Sequence, residues 1–258
     1  MSGAATTAVG PEPAAPLIRF RGLWKAFGPK KIFDDLSLDV LPGETLTIIG
    51  GSGTGKSVLL KCLVGLLYPD RGQVLFDQVD VAQLGEKELV GVRKRVSMVF
   101  QGAALFDSLT VAENIAYPLR EHFPRLGQAE LDQKVKEKLQ LVNLPGTEAL
   151  RPSDLSGGMR KRVGLARAIA IEPEVILYDE PTTGLDPIST RIIDELILDM
   201  KRTLRCTQLV VTHDMDSAFR VSDRIAMLAD RHIVASGTVA EMKASKDPSV
   251  RSFFDARH

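Results

Sequence analysis

Cysteine is scarce in this 258-residue chain, which contains only Cys62 and Cys206. Both lie in apolar stretches and neither has the spacing of a metal ligand. This scarcity excludes a disulfide-rich scaffold and a cysteine-based metal centre, because both need several cysteines at defined intervals. We therefore predict two buried free thiols in a reducing compartment.

The chain also lacks an excess of charge of either sign, since 33 Lys and Arg residues balance 33 Asp and Glu residues. A balanced chain has no overall field that would draw it to nucleic acid or to an anionic membrane, so we expect no nucleic-acid partner. The hydrophobic share of 44% and the charged share of 26% are typical of globular proteins. They suit one large α/β domain.

Long hydrophobic runs are absent as well, so a membrane role would have to come from another chain. Residues 1–16 are rich in Ala, Gly, Pro and Thr and have neither a basic start nor an apolar segment. This composition predicts a disordered tail rather than a secretion signal.

The most informative stretch is a glycine-rich loop between a strand-like run, Thr45–Ile49, and a helical run, Val58–Leu67. This order is that of a phosphate-binding loop, in which backbone N–H groups and the helix dipole surround a polyphosphate. Lys56 is then expected along the β- and γ-phosphates, and Ser57 at Mg²⁺. The nucleotide-binding residues predicted from this loop are Gly50, Gly51, Ser52, Gly53, Thr54, Gly55, Lys56 and Ser57.

Polar residues follow three further strand-like runs, at the ends where ligands bind in open α/β folds. Gln101 could reach Mg²⁺ or the attacking water, and His213 could bind a γ-phosphate. Asp179 is expected to hold Mg²⁺, and Glu180 to polarise the water. Taken singly, each is more typical of an ordinary strand end: a loop glutamine, solvated acids or a structural histidine.

Two regions surround these strands. Antiparallel strands over residues 17–22 and 36–40 are expected to flank the nucleotide, and Phe27 between them could stack on adenine or simply pack. From Gly102 to about Leu155 the pattern is helical, with a capping box at Thr110 and an amphipathic helix over residues 131–142. We interpret this region as a helical lobe inserted into the α/β core.

A second potential anion site opens the next helix, where Ser156 is followed by Gly157 and Gly158. Basic residues follow at positions 160, 161, 162 and 167. They could form a phosphate or nucleic-acid face, although the balanced charge favours a solvated helix surface. The last predicted helix begins at Thr238, and the aromatic pair at 253–254 must pack on this chain or on a partner.

In this order, the motifs resemble those of the ATP-binding cassette (ABC) ATPases, from about Leu17 to about Glu241. The resemblance implies an α/β P-loop NTPase with a RecA-like core, an antiparallel β lobe and a helical subdomain over about 102–160. It divides the chain into a tail (1–16), an ABC domain (17–241) and a C-terminal extension (242–258).

The same resemblance implies a dimer that binds ATP and Mg²⁺. Ser156, Gly157 and Gly158 of one copy would close over the γ-phosphate held by Lys56 of the other, and Asp186 joins the nucleotide-binding residues. Hydrolysis would drive a separate integral-membrane permease, which places the chain on the cytoplasmic face of the inner membrane.

A finer resemblance is to the ATPases of the Mla and Mce-associated systems, which move phospholipids or related lipids between bacterial membranes. It rests on residues 101–122 and on Met159, the last residue of the segment 155–159 that resembles the ABC signature, where most members of the family carry Gln or Glu. It implies an MCE-domain partner. Two features depart from it: Phe27 stands where Tyr is commoner, and residues 181–185 have the general ABC form.

Two other functions stay open. The chain could serve an importer of amino acids or another small solute, because cargo is chosen by other chains. A soluble ABC ATPase acting on DNA or ribosomes fits less well, because the chain holds one cassette and no sustained heptads.

Overall fold

The computed structural model describes residues 15–255, so the predicted tail lies outside the described residues except for its last two positions. The strands within this range are β1 (Ile18–Phe27), β2 (Lys30–Val40), β3 (Thr45–Ile49), β4 (Arg71–Phe76), β5 (Val79–Asp80), β6 (Val96–Val99), β7 (Val175–Asp179), β8 (Thr207–Val211), β9 (Arg224–Ala229) and β10 (His232–Thr238). The α-helices are α1 (Lys56–Leu63), α2 (Glu86–Arg95), α3 (Val111–His122), α4 (Gln128–Leu141), α5 (Gly157–Ala168), α6 (Pro187–Leu204), α7 (Met215–Val221), α8 (Val239–Ala244) and α9 (Pro248–Asp255).

The strands form two sheets. The larger has the order β10-β9-β3-β8-β7-β6, with β9, β3, β8, β7 and β6 parallel and β10 antiparallel at one edge. Every residue of β3, β7 and β8 is buried. Continuous runs of β-branched and apolar residues suit such strands, because a parallel sheet is covered on both faces.

The smaller sheet has the order β2-β1-β4-β5 and is antiparallel. Its first two strands extend further than the sequence predicts, because β1 and β2 stay paired as far as Phe27 opposite Lys30. The turn between them is therefore only Gly28 and Pro29. Charged residues at the exposed positions of β1 and β2 obscured the strand pattern in the sequence.

The helical region lies between β6 and β7, as predicted. Thr110 and Glu113 form the expected capping box of α3, with Glu113 Oε2 accepting from the Thr110 amide at 2.8 Å. Its hydrophobic cluster is continuous with residues of β7 and α6. Within residues 15–255, no helix is long and apolar enough to cross a bilayer.

The C-terminus corrects one prediction: the helix that begins after Thr238 is not the last, because α9 follows it. The α9 helix packs on this chain, with the Phe254 ring edge-on to Phe219 at 5.6 Å between centroids. Both cysteines are buried and unpaired, as expected, and burial raises the pKa of Cys62 to about 12. The thiol therefore stays protonated and unreactive.

An ion pair joins α6 to α7, between the buried Asp194 and the partly exposed Arg220. The fully buried carboxylate of Asp194 accepts hydrogen bonds from Ser217 Oγ and Arg220 Nη1. Because α7 begins two residues after His213, this pair also anchors the helix that follows that residue.

We predict that Asp194→Ala lowers the free energy of unfolding by about 2 kcal/mol, because the buried hydroxyl of Ser217 and the partly exposed guanidinium of Arg220 both lose their acceptor. Asp199→Ala is the matched control on the same helix, since its pair with Arg202 is exposed and worth at most about 1 kcal/mol. Urea unfolding followed by circular dichroism measures both. Equal losses for the two variants would contradict the role of Asp194.

Candidate active site

The register of the parallel sheet brings the predicted site residues together. Val211, the last residue of β8, lies opposite Ile48 of β3 and opposite Asp179 of β7. The three loops that follow these strands therefore begin at one level of the same sheet edge. They carry the glycine-rich loop, Glu180 and His213.

Two glycines of the phosphate loop cannot carry a side chain. A Cβ on Gly50 would lie 2.3 Å from the carbonyl oxygen of Leu228. At Gly55, φ is +105° and a Cβ would lie 2.4 Å from Ile32 Cγ2. The loop is thus closely packed by β9 and β2 as it enters α1, which fixes its backbone for anion binding.

Lys56 begins α1 and its side chain is only 6% exposed. Its ammonium donates to the carbonyl oxygens of Gly50 and Gly51, both at 3.0 Å, and lies 3.7 Å from Glu180 Oε1. It borders a cavity of about 460 Å³. This cavity is lined by Lys30, Ile32, Ser52, Gly53, Gly55, Lys56, Ser57, Val58, Gln101, Glu180 and His213.

The Glu180 carboxylate is held in one orientation. Its Oε2 accepts from Thr183 Oγ1 at 3.0 Å and lies 2.7 Å from His213 Nδ1. We assign the ring proton to Nδ1, because an ionised carboxylate can only accept. Glu180 also has a left-handed backbone, with φ of +50°, a conformation that costs energy and clusters at functional sites. With Oε2 engaged, Oε1 is the oxygen nearest Lys56.

Three oxygen-bearing side chains suit a hard cation. Ser57 Oγ donates to Asp179 Oδ1 at 2.5 Å, and Gln101 lines the same cavity as Ser57. Among residues 15–255, no group of three or more His, Cys, Asp or Glu side chains is arranged so that it could hold a metal ion by itself. A hydroxyl, one carboxylate and an amide fit Mg²⁺, which takes few protein ligands and completes its shell with water and phosphate.

The second predicted anion site lies elsewhere on the chain. Ser156 caps α5, with its Oγ accepting from the Met159 amide at 3.2 Å. Of the described residues that line the phosphate cavity, none belongs to the signature. Gly158 instead lies against Ser189.

Asp186 belongs to this second region. It caps α6, accepting from the Ile188 and Ser189 amides at 3.0 Å and from Ser189 Oγ at 2.6 Å. These bonds, led by the Ser189 hydroxyl, lower the pKa of Asp186. The loop from Glu180 to Asp186 thus joins the two regions.

The basic residues of α5 remain at least partly exposed, with Arg160 exposed and Lys161, Arg162 and Arg167 half-buried, but they also bind main-chain carbonyls, which the sequence interpretation did not include. Arg160 donates to the Leu155 carbonyl and Arg162 to that of Asn143. Arg167 donates to the carbonyls of Ala103 and Ala104 just after Gln101. Lys161 reaches the loop after Glu180. Each cation therefore holds a different segment of backbone.

Phe27 ends β1 with 46% of its surface exposed, and the Lys25 ammonium lies 5.2 Å from its ring centroid. The ring is outside the phosphate cavity, but its strand partner Lys30 lines that cavity. Phe27 is thus adjacent to a residue that lines the cavity, and its ring is nearly half exposed.

Three contributors were missed from the sequence: Lys30, Thr183 and Lys161. Lys30 follows the tight turn after Phe27, and Thr183 lies in the loop after the paired acids, so both were next to recognised motifs. Only the fold reveals their contacts, because these join residues from different elements.

A phosphate loop that faces a carboxylate held by His213 and Thr183 is the arrangement of a P-loop ATPase. Similarity to known proteins identifies the family. Residues 33–183 match the family described as ABC transporter. The chain belongs to this family and is an ATPase that binds ATP, as its motifs predicted.

Curated relatives cover almost the whole chain. One is the probable ribonucleotide transport ATP-binding protein mkl of Mycobacterium leprae, which is 44% identical over 96% of this chain and 71% of its own length. Another is the intermembrane phospholipid transport system ATP-binding protein MlaF of Escherichia coli K12, which is 42% identical over 95% of this chain and 90% of its own. The resemblance to the Mla systems is therefore confirmed.

Solved structures agree with the fold. The dimeric post-hydrolysis state of the ATP-binding cassette MJ0796, bound to ADP and Pi, superimposes with a TM-score of 0.80. It is 30% identical, and the match covers 86% of this chain and 98% of that one. A dimer of the same cassette matches equally well. The predicted α/β fold is confirmed.

We predict that Glu180→Gln binds ATP normally but lowers kcat by about 10²- to 10⁴-fold, because the amide cannot accept the proton of the attacking water. The matched control is Glu174→Gln in the turn just before β7, whose carboxylate pairs with Arg95 at the surface. Steady-state phosphate release gives kcat. Near-normal hydrolysis by Glu180→Gln would exclude Glu180 as the base.

Lys56→Ala should act on binding instead. Loss of the ammonium should weaken ATP binding by about 10- to 100-fold, as expected for charge-assisted hydrogen bonds. Titration with a fluorescent ATP analogue measures the Kd. Lys61→Ala, on the same helix but outside the cavity lining, should leave the Kd unchanged. Equal Kd values for the two variants would refute the assignment.

Proposed function

We propose that this protein is the ATP-hydrolysing subunit of a transporter that moves phospholipids or related lipids between bacterial membranes. The observation that carries the chemistry is the Glu180 carboxylate, whose Oε2 is engaged by His213 and Thr183 while Oε1 lies 3.7 Å from Lys56 Nζ. Oε1 is the oxygen that accepts the proton as water attacks the γ-phosphorus of ATP. ADP and phosphate leave as products.

The other site residues bind and orient the nucleotide. Backbone amides of residues 50–57 and the Lys56 ammonium stabilise the negative charge of the β- and γ-phosphates. Phe27 stacks on the adenine. His213 contributes to the γ-phosphate end by holding Glu180 in place. Ser57, Asp179 and Gln101 would hold Mg²⁺, which when bound neutralises charge on the phosphate oxygens.

Two copies form the working unit in this proposal. The signature residues 156–158 lie outside their own chain's phosphate cavity, yet they form a helix N-terminus suited to an anion. Head-to-tail pairing would set them, with Asp186, on the γ-phosphate held by the other copy. The dimeric cassettes similar to this chain support that arrangement.

A permease is the proposed membrane partner. An apolar groove of about 380 Å³ lies beside the segment after Gln101, and the Phe106 and Tyr117 rings line it with centroids 4.9 Å apart. Leu66 lines the groove and is 50% exposed. Exposed apolar residues grouped in this way are typical of a docking surface. A permease segment here would hold the chain on the cytoplasmic face of the inner membrane.

Lipid is the proposed cargo, and an MCE-domain protein the proposed lipid-binding partner. The support is the similarity to MlaF over nearly the full length of both chains, together with the segment 101–122 and Met159. A small solute is the second candidate, because the name of the mkl relative refers to ribonucleotides and this chain spans 71% of that protein.

The proposed role of the groove is tested with Leu66→Glu. This variant, when tagged and purified, should no longer recover the membrane protein, because its carboxylate would be buried against an apolar permease segment. Val79→Glu is the matched control, since Val79 is 49% exposed on β5, away from the groove. Immunoblotting of detergent-solubilised complexes measures recovery. Loss with both variants, or with neither, would count against the groove.

The cargo is tested on the wild-type complex purified from membranes. Mass spectrometry should find a polytopic permease, an MCE-domain protein and bound phospholipid. A periplasmic receptor for amino acids or nucleotides would overturn the lipid assignment. Recovery only with ribosomes or DNA would overturn the transporter.

A further inference from the structure

Lys161 of α5 binds the loop that follows strand β7. Lys161 Nζ donates to the carbonyl oxygens of Thr183 at 2.7 Å, Pro181 at 2.8 Å and Glu180 at 3.4 Å. An ammonium has three N–H donors and no acceptor, so three carbonyls match its full capacity. Lys161 is half-buried, and burial lowers its pKa.

Thr183 connects this cation to the catalytic carboxylate. Its backbone carbonyl binds Lys161, while its hydroxyl donates to Glu180 Oε2 at 3.0 Å. Displacement of the Thr183 backbone would therefore move the hydroxyl that orients the carboxylate. The left-handed backbone of Glu180 needs such support, because φ of +50° is unfavourable for a non-glycine residue.

The other end of the connection is the signature. Ser156 caps α5, and Lys161 lies five residues further along the same helix. A helix transmits displacement of its N-terminus along its length, since its backbone hydrogen bonds make it rigid. A displacement of residues 156–158 on contact with a phosphate would thus be transmitted to the loop after Glu180 through the Lys161 side chain.

We propose that Lys161 is a positioning residue that couples the signature of each copy to the catalytic glutamate of that same copy. It links the γ-phosphate bound by the signature at one site to the alignment of Glu180 at the other. This inference rests on the roles proposed above for Glu180 and for the signature. Lys161 does not touch ATP, so it acts on turnover and not on binding.

The test is Lys161→Met, which keeps the length of the side chain and removes its donors. We expect kcat to fall about tenfold or more, as for a misplaced catalytic group, with KM for ATP within about twofold. Lys161→Arg should restore most of the activity, because guanidinium donors reach the same carbonyls. Arg162→Met is the matched control, since Arg162 binds the Val142 and Asn143 carbonyls instead.

A double variant separates positioning from general stabilisation. If Lys161 acts through Thr183, then Lys161→Met should lower kcat less in a Thr183→Val background than in the wild type. Fully multiplicative effects would overturn the pathway through Thr183. Wild-type kcat in Lys161→Met, or an equal fall in Arg162→Met, would overturn the proposal itself.

Two further measurements keep the outcome clear. Amide hydrogen exchange should be faster over residues 180–184 in Lys161→Met and unchanged in Arg162→Met. Unchanged exchange in both variants would show that Lys161 does not hold this loop. If the Met variant does not fold, Lys161→Gln replaces it, with the same expected fall in kcat. Normal hydrolysis by Glu180→Gln would instead show that the proposed role of Glu180 is wrong.

Discussion

The register of three adjacent parallel strands is the constraint on which the site depends. Val211 in β8 is level with Ile48 of β3 and with Asp179 of β7, so the phosphate loop, the paired acids and His213 leave the sheet together. A shift of one residue would turn every side chain of the shifted strand to the opposite face and would put its loop out of level with the other two. Because all three strands are buried on both faces, such a shift would also disrupt the packing on each face, and the register is therefore strongly specified.

Helix α5 contacts three separate segments of the chain. Its cations bind main-chain carbonyls of the segment after Gln101, of the α4 end and of the loop after Glu180. Carbonyl dipoles are suitable partners here, since a partly buried cation needs donors satisfied but a buried ion pair costs more desolvation. The segment that borders the apolar groove and the loop after Glu180 are thus both bound by the helix that begins with the signature residues.

Much of the fold followed from local patterns, because the physical causes are local. The buried strands β3, β7 and β8, the capping box of α3 and the cap of α5 were all predicted close to their observed positions. The errors arose where a contact with another segment decides the local structure. The extension of β1 to Phe27 depends on pairing with β2, and α9 is a short helix at which Phe254 packs on Phe219. Neither contact can be inferred from one segment alone.

By itself, the sequence determined which groups are present and in what order: a glycine loop with Lys56 and Ser57, acids after one strand, a histidine after another and a capped helix start at Ser156. Backbone freedom, capping and strand propensity are properties of neighbouring residues, so a linear pattern records them. Only the tertiary structure decided that Oε2 of Glu180 faces His213 and Thr183, and that the basic run of α5 binds main-chain carbonyls. Those contacts join residues brought together by packing, and packing is settled by the whole chain.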